Sequence, residues 1–218
     1  MQTFDLTEMG LRDRARLLEG LIYPRPIAWV STQSPDGRRN LAPFSFFNLF
    51  SPAPPTIVVA PGSRPLPADP ARCADKDTLA NVRATGELAV SLISEQLANA
   101  ANATSAEVGP EQDEWLLAGV TPRPSIDVAP PIVAEAPASF ECKVLQIVDL
   151  AHRGERTNAL VVARVTRCHV RDGMLDADGR PDPLALGLVG RLGGPRWCRT
   201  TDWLDMPRPG AATAATAQ

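Results

Sequence analysis

The chain has little of what most catalytic sites are built from. Its 218 residues include only two histidines, His152 and His169, so a histidine-based metal centre finds no ligand set, and no metal is expected. GxSxG, HExxH, a Walker loop and GxGxxG are all absent, which removes the familiar hydrolase, metalloprotease, P-loop and dinucleotide signatures. Cys73, Cys142, Cys168 and Cys198 are scattered without a CxxC pair. That spacing argues against a zinc site or a disulfide framework and for reduced, structural cysteines. No window approaches the roughly 18 apolar residues of a membrane span. The N-terminal "MQTFDLTEMG" lacks the charged start and apolar centre of a signal peptide, so a cytoplasmic protein without a membrane partner is expected. Basic residues form no stripe, and a net charge of -3 with a pI near 5.5 gives no electrostatic reason for binding nucleic acid. Without an evident acid, base or nucleophile cluster, catalytic residues stay unassigned. If the protein is an enzyme, a cofactor brings the reactivity.

Hydrophobic residues make up 44% and charged residues 22%. These are ordinary globular values, and the length suits one strand-rich domain. A single domain over 1–205 is expected, followed by a disordered, small-residue tail over 206–218. Asp36-Gly37 is a hairpin signal that joins a strand at about 26–32 to one at 39–44. "TIVVAP" at 56–61 reads as a buried strand, and the proline-rich 62–75 as a surface loop. In "DKDTLANVRATG" Leu79, Val82 and Arg83 have helical spacing, with Asp77 or Thr78 as N-cap and Gly86 as the stop. A strand over 87–94 comes next, then short helices beginning at Ser94 and spanning 111–119. The segment 121–137 is too proline-dense for regular structure and wraps the surface in extended form. Alternation in "ASFECKVLQIVDL" and the β-branched "NALVVARVTRCHVRDG" mark two longer strands. The fold class is therefore mainly β, an antiparallel barrel with short helices, and not a doubly wound parallel sheet.

Three stretches could hold a cofactor. Ser31 and Thr32 in "WVST" offer hydroxyls at a strand end, either to a phosphate or to their own turn. In "KDTLAN" Lys76 and Thr78 stand at a helix N-terminus, where unpaired N–H groups favour anions; simple capping is the alternative. "GRLGG" at 190–194 joins a cation to glycines that permit close approach, a weak signal alone. "NLAPFSFFN" at 40–48 interleaves phenylalanines with polar groups. Adjacent Phe46 and Phe47 in a strand must face opposite sides, so at least one belongs to the core.

Taken in order, "YPRPIAWVSTQSPDGRRNLAPFSFFN", "KDTLANVRATGELAVSL", "NATS", "DEWLLAGVTPRPS" and "LVGRLGGPRW" resemble the flavin reductase-like, FMN-binding split-barrel proteins, the group that includes flavoredoxins. The resemblance runs over roughly residues 15 to 200. It implies a split-barrel homodimer with FMN near the subunit interface, and an oxidoreductase that takes hydride from NADH or NADPH and serves a second acceptor, free flavin or a protein. Carried over by position, it assigns Ser31 and Thr32 to the flavin-side hydroxyl pair, and Ser45, Phe46, Phe47 and Asn48 to the flavin-contacting segment. Lys76, Asp77 and Thr78 match the phosphate-side motif, and Arg191 the C-terminal arginine. Two departures stand out. The segment 62–75 is longer and richer in proline than the family pattern, and the Gly-Asp-His-like motif of short reductases is absent. The alternatives are an FMN electron carrier reduced by a partner protein and a split barrel that binds another ligand without redox work.

Overall fold

The computed structural model describes residues 1–106, 112–151 and 157–206. His152, residue 111 of the expected helix and most of the expected tail, 207–218, lie outside these ranges. The first element is helix α1 (Leu11–Leu21), one not expected from the sequence. Leu11, Ala15, Leu18 and Ile22 share one face by their spacing, yet no residue of α1 is buried.

Strands β1 (Arg25–Pro26), β2 (Ala28–Gln33) and β3 (Arg39–Phe44) come after it. The β2–β3 hairpin turns at Asp36-Gly37 as expected, with Gly37 at φ 89°, a backbone state that favours glycine. Next come β4 (Phe47–Pro52), β5 (Pro55–Val59), β6 (Ser63–Leu66) and β7 (Asp69–Asp75). Here the expectation of a loop over 62–75 is corrected, because β6 and β7 form an antiparallel ribbon. A two-stranded ribbon is all edge, so Pro65 and its missing N–H need break no ladder hydrogen bond.

Helix α2 (Asp77–Thr85) is capped by Lys76 in extended conformation, without a side-chain cap bond, and not by Asp77 or Thr78; Gly86 ends it at φ 70°. The chain continues through β8 (Glu87–Leu92), one 3-10 turn (Glu95–Leu97), α3 (Ala98–Ala103) and α4 (Glu114–Ala118). The segment 121–137 is largely extended, as expected, but β9 (Pro122–Arg123) and β10 (Ile132–Val133) pair within it. The longest strands, β11 (Ala138–Asp149) and β12 (Ala159–Val170), precede α5 (Pro183–Leu186), β13 (Val189–Arg191) and β14 (Trp197–Arg199).

The main sheet is antiparallel, in the order β3-β2-β8-β11-β12-β5-β4. Its two outermost strands are neighbours in sequence, since β3 ends at Phe44 and β4 starts at Phe47. Seven flat strands would set these edges ~29 Å apart. The link can span only ~10 Å. The sheet must therefore curl on itself, and Ser45 and Phe46 form the seam. Alternation along β2 then serves two cores. Ala28 and Val30 join Leu88, Val90 and Val161 in one cluster, while Trp29 faces Leu41, Trp115 and Val133 in another.

Candidate functional site

A cleft of about 770 Å³ runs along the seam, between Pro43, Phe44, Ser45 and Phe46 on one side and the Leu11, Leu18 and Ile22 face of α1 on the other. One end is polar, with Ser63, Lys76, Asn102, Ser105 and Asn158; Arg191 and Trp197 also line it. Among the described lining residues the basic ones are Arg25, Lys76 and Arg191 and the acidic one is Glu19. The described lining thus joins apolar surface to basic side chains, which suits a flat ligand carrying negative charge.

Several local devices build this geometry. A small antiparallel sheet, β1-β13-β14, sets Arg25 opposite Arg191 and places the Arg191 guanidinium 5.7 Å from the Trp197 ring centroid. The glycines of "GRLGG" do permit close approach: a Cβ on Gly193 would lie 2.9 Å from Gly20 Cα of α1. The helix therefore rests directly on the backbone after β13. At the polar end, Trp29 Nε1 donates to Thr104 Oγ1 at 2.9 Å, and Thr104 Oγ1 donates to Ala101 O at 2.9 Å. This buried chain fixes the turn that presents Asn102 and Ser105. Asn158 Nδ2 donates to Ala60 O at 2.7 Å, which ties the start of β12 to the end of β5.

The candidate residues separate. Ser45, Phe46, Lys76 and Arg191 line the cleft. Ser45 Oγ accepts from Arg25 Nε at 3.4 Å, and the Arg25 guanidinium lies 5.8 Å from the Phe46 ring centroid. Asp77 and Thr78 line an adjoining recess of about 110 Å³, which shares Pro43, Phe44, Lys76 and Ser105 with the cleft. In that recess Asp77 pairs with Arg64 through two 3.2 Å contacts, and Thr78 Oγ1 accepts from Asn40 Nδ2 at 2.9 Å. Burial raises the Glu114 carboxyl beside them, with the nearby Asp77 charge adding to the effect. Phe47 packs on the core, and exposed Asn48 accepts from the Leu49 N–H at 2.8 Å. Ser31 and Thr32 are buried within β2, away from the cleft lining. Thr32 Oγ1 accepts from Asn81 Nδ2 at 3.1 Å, whereas Ser31 Oγ has no partner among the described residues.

Arg25, Asn102, Ser105 and Trp197 line the cleft without having been assigned a role from sequence. Each sits inside a quoted family-like segment, "YPRP", "NATS" or "GGPRW", which was the only signal available for them. Cys142 offers no nucleophile, since burial, then the neighbouring Glu141 charge, pushes its thiol up to about 12.

A barrel curled around a seam, with a cleft of apolar and basic lining along it, defines a split-barrel protein. Residues 20–186 match the flavin reductase like domain, and the chain belongs to that family, which makes it a flavin-linked redox protein. BH2278 of Halalkalibacterium halodurans is 36% identical over 202 residues, 92% of this chain and 93% of that protein. Nitrilotriacetate monooxygenase component B from Bacillus cereus matches with a TM-score of 0.85 at 29% identity, covering 94% of this chain and 98% of its own. A split-barrel-domain protein from Shewanella frigidimarina NCIMB 400 shares the fold, with a TM-score of 0.77 at 21% identity over 94% and 96% of the two chains.

Proposed function

We propose that the cleft holds FMN and that the protein, as a homodimer, is an NAD(P)H-dependent oxidoreductase passing electrons to a second acceptor. The observation that carries this reading is the cleft itself. Its 770 Å³ lies within the roughly 300–1,000 Å³ of small-molecule sites. Its described lining includes the basic Arg25, Lys76 and Arg191 and the apolar Leu18, Ile22, Phe44 and Phe46. Lys76, with Asn102 and Ser105, would hold the phosphate. Phe44, Phe46, Leu18 and Ile22 would cover apolar ring surface, and Ser45 and Arg191 would meet polar edges. Thr32, Phe47 and Thr78 hold β2, β4 and α2 in place around this set. FMN, when bound, supplies acceptance of a hydride and its onward release as electrons. The chain binds, orients and excludes water, and no side chain need be an obligate acid or base.

The test is titration of purified protein with FMN, followed by anaerobic mixing with NADH or NADPH. Tight binding and rapid bleaching of the flavin by one nicotinamide are expected. Protein that binds no added FMN would end the proposal. A second reading, an FMN electron carrier, is favoured by the missing Gly-Asp-His-like motif. It predicts no bleaching by either nicotinamide but fast reduction by a ferredoxin-like donor.

A further inference from the structure

Arg25 is an unusual member of the cleft wall, because it is a cation only 7% exposed. Buried arginines are ordinarily paired with carboxylates, since the charge is costly to remove from water. No carboxylate is among its described contacts. Its Nη1 donates to Glu19 O at 2.7 Å and to Ile22 O at 2.6 Å, both at the C-terminal end of α1. Nη2 donates to Leu192 O at 3.3 Å, and Nε to Ser45 Oγ at 3.4 Å. These partners take up four of the five N–H groups and complement the helix-end dipole without cancelling a full charge. They also fix the guanidinium in one orientation, at the meeting point of α1, the "GRLGG" turn and the seam.

A preorganised, uncancelled cation on the wall of a redox site discriminates between charge states of what binds there. Oxidised FMN has a neutral ring system. A hydride delivers two electrons and one proton, which leaves the ring an anion until a second proton arrives. We infer that Arg25 tunes the cofactor, making the cleft bind reduced, anionic FMN in preference to the oxidised form. The inference rests on the reading of the cleft as an FMN site. Arg25 is cast as a charge-supplying residue and not as a proton donor, since its guanidinium stays charged throughout.

Potentiometric titration tests this, with dithionite as reductant and Kd values measured for FMN in both redox states. In Arg25→Met the preference for reduced over oxidised FMN should fall by about tenfold, equivalent to a midpoint ~30 mV lower for this two-electron couple. Arg25→Gln removes the charge but keeps a donor for one carbonyl, and should show the same fall. Arg25→Lys keeps the charge and loses the fork, so it should restore most of the preference while amide exchange in α1 still accelerates. A purely structural role would speed exchange in all three variants and leave the potential unchanged, which overturns the inference. The wild type supplies a test that needs no variant. Its bound FMN should take up one proton per two electrons down to a lower pH than free FMN does; identical proton uptake also overturns it. Wild-type protein that binds no FMN overturns the functional reading as well, whereas FMN bound with an Arg25-independent potential overturns this inference alone.

Discussion

The Glu141 carboxylate has no exposed surface and accepts from Ile126 N at 2.8 Å, from Asp127 N and from His169 Nε2 at 2.6 Å. It thereby pins the extended 121–137 segment onto β11 and β12. Burial alone would raise its pKa, but the two N–H groups and the histidine ring outweigh that and hold it below the ordinary 4.5. A lowered folded value means that unfolding takes up a proton in acid. The stabilisation is complete above about pH 4.5 and is lost as the pH falls through the folded value. Glu141→Gln should therefore flatten the acid limb of the stability curve and cost about 1–3 kcal/mol at neutral pH, read from urea midpoints across a pH series. Lys76 and Thr78 carry a paired prediction. Lys76→Ala should weaken FMN binding by about 1.5–3 kcal/mol, the scale of one charge-assisted hydrogen bond. Thr78→Val leaves buried Asn40 Nδ2 without its acceptor, so it should lower stability by about 1–3 kcal/mol. A loss of FMN affinity in Thr78→Val equal to that in Lys76→Ala, with stability kept, would refute the distinction. From sequence the two residues looked alike, as a cation and a hydroxyl at one helix N-terminus. Only tertiary packing shows that the hydroxyl accepts from the buried Asn40 amide.

At the level of elements, the strands were legible wherever period two and Asp-Gly turns coincide, as in β2 with β3 and β11 with β12. Helix α1 was not, because its apolar face meets a cleft and buries no residue fully. The β6–β7 ribbon was missed for a different reason: proline was taken as a breaker, although an edge strand accommodates it. Besides the Arg25 bonds to Glu19 O and Ile22 O, α1 is held by backbone contact at its C-terminal end, where Gly193 lets the chain approach Gly20. Both sides of that contact are backbone, so no flexible side chain can yield. Gly193→Ala should displace α1 at a cost of about 1–3 kcal/mol, the range for overpacking. Amide exchange over 11–21 should quicken and FMN affinity fall together, while exchange in β11 and β12 stays slow. Unchanged exchange in α1 would show that the helix is held elsewhere.

Across the whole molecule, barrel closure depends on pairing between strands far apart in sequence, such as β5 with β12, which local patterning cannot reveal. That pairing makes the 45–46 link a seam and leaves β4 as the last strand in the order, joined only to β5 among the described strands. Natural edge strands are protected by charge, bulges or a covering element. On β4 a bulge follows Leu49, yet Leu49 and Phe50 remain 59% and 68% exposed. Large apolar side chains grouped on a sheet edge mark an interaction surface. The strand carries no acidic or basic residue to steer a charged partner or to repel a second copy. A self-complementary interface between two copies would cover both edges by one symmetric contact, of order 800 Å² per chain in a stable complex. Light scattering on the purified protein should accordingly give a dimer at micromolar concentration. Phe50→Glu, which puts a charge in the middle of that contact, should shift it to monomer without unfolding it. A wild-type monomer would overturn the homodimer, whereas a Phe50→Glu dimer of unchanged affinity would place the subunit contact away from β4. If the cleft is complete within one chain, the monomeric variant should still bind FMN through Lys76 and Arg191; loss of binding on dissociation would mean that the partner copy supplies part of the site.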